Sequence, residues 1–310
     1  MSLAFVFPGQ GSQSVGMLAE LAQHEPLVQQ TFAEASEVLG YDLWQKVSEG
    51  PAEELNQTHI TQPAMLAAGI ALWRIWQQRG GAMPAVMAGH SLGEYTALVA
   101  AGVLNFADAI RLVAERGRLM QQAVPAGSGA MAAILGLEDA QVIAVCEQAA
   151  QGEVVSAVNF NAIGQVVIAG QAAAVERAIE AAKAAGAKRA VALPVSVPSH
   201  CALMQPAADE LAKMLAEITV NSPAIPVVNN VDVKQEADPA GIRDALVRQL
   251  YNPVRWVETV QAMSLDGVDT LIECGPGKVL LGLNKRIVKD MRAMAILDPA
   301  TLDSALVEWS

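Results

Sequence analysis

The sequence predicts an α/β fold in which a small unit of strands and helices interrupts a larger domain with a mainly parallel sheet. Three observations predict it. An apolar run at residues 3–7 ends in a glycine-rich loop, residues 85–101 follow a strand–turn–helix pattern, and residues 128–194 alternate between short apolar runs and helical periodicity. Strands that alternate with helices along a chain are typical of parallel sheets.

The larger domain is predicted in two pieces, 1–125 and 198–310. Its strands are short apolar runs, and its helices show apolar residues three or four positions apart. Strands are predicted at 3–7, 85–89, 226–230 and 270–274. Helices are predicted at 26–39, 63–79, 94–101, 107–124, 202–217, 242–250 and 253–265.

The intervening residues 126–197 are predicted to form a small domain of their own. Their elements follow the order strand, helix, strand, strand, helix, strand, which is the βαββαβ ferredoxin-like arrangement. Pro125 and Gly127 flank its start and Pro194 follows its last strand, as expected at a domain boundary. The six elements are predicted at 130–135, 139–150, 154–159, 165–169, 172–185 and 189–193.

Composition narrows the function before any motif is considered. The 310-residue chain has a formal net charge of −12, which argues against nucleic-acid binding, because such binding relies on basic patches. Its apolar runs are too short to span a membrane, and its first residues do not resemble an export signal. Cys146, Cys201 and Cys274 fit neither a disulfide framework nor a zinc site. We expect a cytoplasmic monomer without a bound metal or permanent cofactor.

The segment Gly89-His90-Ser91-Leu92-Gly93 matches the nucleophile elbow, in which small residues permit the sharp turn that exposes a serine hydroxyl above a sheet. A predicted strand precedes the motif and a predicted helix follows it, which is the context that the motif requires. The alternative is a glycine-rich turn in which Ser91 caps the helix, but that explains the serine without explaining both glycines. We therefore predict an α/β-hydrolase-like large domain with Ser91 as nucleophile.

A serine nucleophile requires a base, and the chain has four histidines. His24 and His59 lie in polar stretches, and His90 adjoins Ser91, where neighbouring side chains diverge. His200 lies where the chain leaves the small domain and re-enters the large one, and domain junctions are common places for sites. His200 is therefore the predicted base, and a purely structural histidine is the alternative.

The helix predicted at 107–124 has one polar and one apolar face. The polar face carries Arg111, Glu115, Arg118 and Gln122. Arg116 lies in the middle of the apolar stripe, near Met120. An inward guanidinium calls for an anion, and it binds a carboxylate through two parallel hydrogen bonds. The partner is either a buried Asp or Glu or a carboxylate on the substrate.

The loop Gly9-Gln10-Gly11-Ser12-Gln13 follows the first strand and superficially resembles a dinucleotide-binding motif. Ser14 stands where that motif requires its third glycine, so we reject this reading. In an α/β-hydrolase-like fold this loop would supply a second oxyanion donor, which predicts the N–H groups of Gln10 and Leu92 as the pair. A tight surface turn is the alternative.

These motifs belong to an ordered set that runs along nearly the whole chain. The set comprises 7–13, 89–94, 116–117, 159–161, 164–170, 199–200, 249–253 and 275–277. It closely resembles the malonyl-CoA:acyl carrier protein transacylases of bacterial fatty-acid synthesis. Such ordered blocks are more specific than any single motif.

The resemblance implies ping-pong acyl transfer, with malonyl-CoA as substrate and an acidic acyl carrier protein as partner. Ser91 would attack the malonyl thioester, His200 would accept its proton, and the backbone carbonyl of Gln249 would orient His200. Arg116 and Met120 would bind the malonyl group, and Gln10 and Leu92 would stabilise the oxyanion. Further substrate contacts are expected at Asn159, Asn161, Gln165, Lys188 and Arg189. The candidate docking residues for the carrier are Lys285 and Arg286.

Three other functions share some of these residues. A serine esterase or thioesterase would use Ser91 and His200 with water, but no acid is evident as third member and the inserted unit is unusual for such enzymes. A non-catalytic docking subunit is disfavoured because Ser91, His200 and Arg116 occur together. An acyltransferase of a polyketide-type pathway is the third alternative, because Ser199 occupies a position that belongs to a selectivity motif in those relatives.

Overall fold

The structure of the chain is a computed structural model that describes residues 2–195 and 197–310, so Met1 and Ser196 of the predicted domain ranges lie outside it. Within the described residues there are nine strands in two sheets. The strands are β1 Leu3–Phe7, β2 Val86–Gly89, β3 Gly129–Leu135, β4 Val155–Ala162, β5 Gln165–Gln171, β6 Arg189–Ala192, β7 Val227–Val228, β8 Thr270–Cys274 and β9 Arg292–Ile296.

Fourteen α-helices lie in the described part of the chain. The first seven are α1 Ala19–His24, α2 Pro26–Leu39, α3 Leu43–Glu49, α4 Ala52–Leu55, α5 Thr58–Gln78, α6 Leu92–Ala100 and α7 Phe106–Gln122. The others are α8 Asp139–Ala150, α9 Ala172–Ala184, α10 Gln205–Glu217, α11 Pro239–Gln249, α12 Trp256–Leu265, α13 Val279–Ile287 and α14 Pro299–Trp309. None of the described helices is both long and apolar enough to cross a membrane.

The larger sheet has the strand order β7-β2-β1-β8-β9, and each neighbouring pair is parallel. β1 lies at its centre and is buried along its whole length. Successive side chains of a strand point to opposite faces, so Phe5 and Phe7 enter one hydrophobic core while Ala4 and Val6 enter another. Both faces of the sheet are therefore covered, as parallel sheets require.

The smaller sheet has the strand order β4-β5-β3-β6, and its pairs are antiparallel. One of its faces packs on α8 and α9 in a separate hydrophobic core. This is the predicted ferredoxin-like arrangement, and the predicted fold class is confirmed. The limits predicted for the two domains stay predictions.

The small sheet is joined to the larger domain close to α11. Val254 accepts a hydrogen bond of 3.0 Å from Phe160 N–H of β4 and donates one of 2.8 Å to the Val158 carbonyl. The bulges in β4 lie on either side of this contact, between Ala157 and Asn159 and between Phe160 and Ala162. The small sheet is therefore fixed to the segment that follows Gln249.

Several predicted boundaries were wrong. The helix predicted at 63–79 begins five residues earlier, at Thr58, with Pro63 inside it. Thr61 and its neighbours in the first turn are buried, so tertiary packing outweighs the preference of proline for a helix start. The strand predicted at 226–230 has only two paired residues, and β9 and α14 were not predicted.

Candidate active site

A cavity of about 320 Å³ lies between the carboxyl ends of β1 and β2 and the small sheet. The predicted site residues that line it are Gln10, Ser91, Leu92, Arg116, Met120, Asn159, Asn161 and His200. The predicted residues that do not line it are Gln165, Lys188, Arg189, Gln249, Lys285 and Arg286. Residues from distant parts of the sequence therefore meet in one cleft between the two sheets.

Ser91 occupies the sharp turn between β2 and α6. Its φ is 53° and its ψ is −110°, a backbone conformation that residues with side chains rarely adopt. The two flanking glycines are sterically required, because a Cβ on Gly89 would lie 1.9 Å from the Gly93 carbonyl carbon and one on Gly93 would lie 2.0 Å from the Phe7 carbonyl oxygen. Among the described residues Ser91 makes no side-chain capping bond to α6. The turn has elbow geometry, and the helix-cap alternative is wrong.

Replacing Gly93 by alanine should destabilise the fold by about 3 kcal/mol or more, because the new methyl group must displace the backbone at the end of β1. Gly282→Ala is the matched control: a Cβ there meets no atom within 4 Å, so the free energy of unfolding should change by no more than about 1 kcal/mol. Chemical denaturation measures both variants. Equal stability of the two would contradict the close packing at the elbow.

The strained elbow is held by a side chain that sequence reasoning missed. Asn230 accepts a hydrogen bond of 2.7 Å from Ser91 N–H and donates one of 2.7 Å to the Gly89 carbonyl. Asn230 is fully buried, two residues after β7. One amide thus fixes the backbone on both sides of His90.

Ser91, His200 and Gln249 form a continuous hydrogen-bonded chain. Ser91 Oγ lies 2.8 Å from His200 Nε2, and His200 Nδ1 lies 2.7 Å from the backbone oxygen of Gln249. A carbonyl oxygen only accepts hydrogen bonds, so Nδ1 carries the proton and Nε2 is the acceptor that faces the serine. The histidine is therefore in the tautomer that a general base needs.

The protonation state of His200 follows from its surroundings. Its side chain is buried, and burial lowers its pKa to about 3, with the positive charge of Arg116 acting in the same direction. The imidazole is therefore neutral at ordinary pH and free to accept a proton from Ser91.

Arg116 lies on α7, 1% exposed, as the helical wheel predicts. One nitrogen, Nη2, lies 3.3 Å from Ser91 Oγ and donates to Gln249 Oε1 at 2.9 Å, and Nη1 donates to Gln62 Oε1 at 2.8 Å. The guanidinium also lies over the Tyr95 ring, 5.2 Å from its centre. One edge of the guanidinium therefore faces the nucleophile.

The hydrogen-bond partners of Arg116 in the described part of the chain are all neutral. Its neighbours Arg111 and Arg118 make ion pairs, whereas no carboxylate of the described residues lies within ion-pair distance of Arg116. The third guanidinium nitrogen, Nε, is buried and has no acceptor among those residues. Burial lowers the pKa of Arg116, yet a guanidinium stays protonated at ordinary pH. The alternative of a direct internal ion pair is therefore wrong, and a bound carboxylate is the fitting partner.

The two predicted oxyanion donors lie together. Leu92 is the first residue of α6, so its N–H has no acceptor within the helix and points out of the helix start. A Cβ on Gly9 would lie 3.7 Å from Leu92 N, which places the loop of Gln10 against the same spot. The loop that carries Gln10 therefore lies beside Leu92 N–H, as an oxyanion hole built from these two residues would require, and that role stays a prediction.

The small sheet supplies one wall of the cavity. The side chain of Asn161 hydrogen-bonds His90 Nε2 at 2.7 Å, and Asn159 Oδ1 is buried without a partner among the described residues. Gln165 lies outside the lining, at the start of β5 and two residues before Val167, which does line it. Gln165 therefore does not line this cavity, and its predicted contact with the substrate stays a prediction.

Gln165 instead connects two groups of exposed cations. Its Oε1 accepts a hydrogen bond of 2.5 Å from Arg286 Nη1. Leu135 of β3 pairs with Gln165 on one side and with Arg189 on the other, so these two residues lie about 10 Å apart. We call this group of cations the basic edge; it comprises Lys188, Arg189, Lys285 and Arg286, all of them exposed.

The residues that support the catalytic side chains from behind were not predicted from the sequence. Gln62, Glu94 and Asn230, together with the amide of Gln249, hold Arg116 and the elbow in place. Burial raises the pKa of Glu94 to about 7, while hydrogen bonds from Gln249 and Asn230 act to lower it. The one local signal was Glu94, a charged residue in the apolar helix start after the elbow.

Comparison with known proteins places this chain among acyl transferases. Residues 4–301 match the family model described as acyl transferase domain. The malonyl CoA-acyl carrier protein transacylase of Salmonella typhimurium is 66% identical over 98% of this chain and 99% of its own length. An acyl carrier protein S-malonyltransferase from Vibrio cholerae is 67% identical, with a TM-score of 0.96 over 98% of this chain and 99% of that one. A malonyl-transacylase in complex with a type II PKS acyl-carrier protein is 62% identical, with a TM-score of 0.99 over 99% and 100% of the two chains.

Proposed function

Since the chain belongs to the acyl transferase family, and within it to the malonyl CoA-acyl carrier protein transacylases, we propose that it moves a malonyl group from coenzyme A to an acyl carrier protein through a malonyl-Ser91 intermediate. The observation that carries the mechanism is the position of Ser91 Oγ. It lies 2.8 Å from a neutral histidine nitrogen and 3.3 Å from a buried guanidinium that has no carboxylate partner among the described residues. A nucleophile, a base and a carboxylate receptor therefore meet at one oxygen atom.

In the first half-reaction Ser91 Oγ attacks the thioester carbonyl of malonyl-CoA while its proton passes to His200 Nε2. The negative charge that develops on the carbonyl oxygen is stabilised by the N–H groups of Gln10 and Leu92. Collapse of the tetrahedral intermediate breaks the carbon–sulfur bond, and His200 returns the proton to the departing thiolate. The products are free coenzyme A and malonyl-Ser91.

In the second half-reaction the pantetheine thiol of the carrier attacks the malonyl ester, and His200 takes the thiol proton and then returns it to Ser91 Oγ. Arg116 would bind the free malonyl carboxylate in both halves through a two-pronged contact. Asn159 and Asn161 line the same cavity and would contact the pantetheine arm. The proposed steps use only malonyl-CoA, the carrier thiol and groups of this chain.

Carrier-dependent turnover tests this function against its closest rival, a thioesterase. With malonyl-CoA and the phosphopantetheine form of a carrier protein, the purified chain should yield one malonyl-carrier for each coenzyme A released. Mass spectrometry of the carrier and a free-thiol assay measure the two products. Release of free malonate at a rate that the carrier does not affect would favour the hydrolase.

We also propose that the basic edge receives the acidic carrier protein and that Lys188 and Arg189 contact the phosphates of coenzyme A. Its four cations extend from the small sheet to the last turn of α13, whose Leu280 and Leu283 line the cavity. On a chain with a net charge of −12, such a local cluster is suited to an acidic partner. The three cysteines are free and buried, which supports a cytoplasmic location.

The double substitution Lys285→Glu with Arg286→Glu should raise the KM for the carrier by about tenfold or more and weaken its salt dependence, because rim charges act mainly on association. The rate of malonyl-enzyme formation from malonyl-CoA should change much less. Lys213→Glu, an exposed cation on α10, is the control. An unchanged KM for the carrier in the double variant would count against docking at this edge.

A further inference from the structure

Glu94 is a buried carboxylate that the mechanism above does not use. It is the third residue of α6, only 3% exposed, and it faces the back of the site. Its Oε2 accepts hydrogen bonds of 2.9 Å from Asn230 N–H and 2.8 Å from Gln249 Nε2. Burying a carboxylate is costly, so its retention here calls for an explanation.

The amide of Gln249 lies between Glu94 and Arg116. Its Nε2 donates to Glu94 Oε2 and, at 3.1 Å, to the Ser91 carbonyl, while its Oε1 accepts from Arg116 Nη2. Glu94 Oε2 and the Ser91 carbonyl both accept hydrogen bonds, so the amide nitrogen of Gln249 must face them. The amide oxygen is then left to face the guanidinium.

A reversed amide would place two N–H donors against a guanidinium that consists only of donors. That orientation loses a hydrogen bond to Arg116 and pushes Nη2 away from Ser91 Oγ. The backbone oxygen of the same residue, Gln249, accepts from His200 Nδ1, so its backbone cannot shift to relieve the conflict without misplacing the base.

We propose that Glu94 is a positioning residue that fixes the Gln249 amide with its oxygen toward Arg116 and so aims the guanidinium at the malonyl carboxylate beside Ser91. Glu94 acts through Gln249 and touches no substrate. This inference rests on the proposed function, since it concerns recognition of the carboxylate in that reaction.

The test compares two substitutions of similar size. Glu94→Gln keeps an oxygen that accepts from both N–H groups, whereas Glu94→Met fills the space without a comparable acceptor. For each variant, kcat/KM is measured with malonyl-CoA and with acetyl-CoA, which lacks the carboxylate, and the ratio of the two values is taken. Partial unfolding lowers both values equally and leaves the ratio unchanged, so the ratio isolates positioning of Arg116.

Glu94→Met should lower the malonyl-to-acetyl ratio about tenfold, and Glu94→Gln should stay within about threefold of the unsubstituted chain. Gln249→Met should reproduce the loss, and the double variant with Glu94→Met should be no worse than Gln249→Met alone, because the two residues act in series. If Glu94→Met does not fold, the malonyl-to-acetyl ratio of Gln249→Met is the test, and an unchanged ratio there contradicts the inference.

Three outcomes would overturn the inference. They are an unchanged ratio in Glu94→Met or Gln249→Met, additive effects in the double variant, and a loss in Glu94→Gln as large as that in Glu94→Met, which would indicate charge instead of amide orientation. Failure of the proposed function would look different, because the unsubstituted chain itself would then not transfer malonyl to the carrier.

Discussion

Ser91→Ala should abolish formation of the malonyl-enzyme and reduce transfer from malonyl-CoA to the carrier by at least about 10⁴-fold. The reason is that both half-reactions pass through an ester on Ser91 Oγ, and alanine offers no atom to form it. The oxyanion donors and Arg116 stay in place, so the variant should still bind malonyl-CoA. Intact-protein mass spectrometry after brief exposure to malonyl-CoA measures the covalent step directly.

Ser12→Ala is the matched control for this variant, because Ser12 lines the same cavity and is not bonded to His200. It should keep its malonyl adduct and lose no more than about threefold in rate. A malonyl adduct that persists in Ser91→Ala would show that another residue is the nucleophile and would remove the basis of the mechanism.

Arg116→Ala should lower kcat/KM for malonyl-CoA by roughly 30-fold to several thousand-fold, which corresponds to about 2–5 kcal/mol for a charged contact in a desolvated site. Transfer from acetyl-CoA should fall much less, because acetyl has no carboxylate for the guanidinium to bind. The preference between the two thioesters is therefore the quantity to measure, with both acyl-CoA substrates on the same enzyme preparation.

Arg118→Ala controls for the loss of a positive charge on α7. Arg118 lies two residues away on the exposed face, where it pairs with Glu115, so the preference for malonyl should stay the same. Equal losses for malonyl and acetyl in Arg116→Ala would mean that Arg116 supports the fold or the nucleophile without binding the substrate carboxylate.

Local patterns in the sequence were sufficient for the elbow and for Arg116. The G-x-S-x-G spacing reflects two steric requirements that the structure makes explicit at Gly89 and Gly93. The inward position of Arg116 followed from helical periodicity, which depends only on nearby residues. In both cases the physical constraint lies within one turn or one helix, so the local sequence carries it.

The residues that support the site could not be predicted from the sequence, because their partners are far away along the chain. Asn230 bonds the elbow from 139 residues away, and Gln62 reaches Arg116 from a helix whose first turn was not predicted. Amide side chains show no periodicity and occur throughout any sequence, so their partners emerge only once the chain has folded. The boundary error at Thr58 had the same cause, because tertiary burial of that turn outweighed a proline signal.

The backbone bridge at Val254 ties the shape of the cleft to the alignment of the base. Val254 is hydrogen-bonded to β4, and the same stretch of chain begins at Gln249, whose carbonyl holds His200 Nδ1. A ligand that wedges the small sheet outward would pull on this stretch as well as widen the cleft. A compound that binds at the mouth of the cleft would therefore inhibit by shifting His200 out of line with Ser91, without occupying the oxyanion hole or the guanidinium.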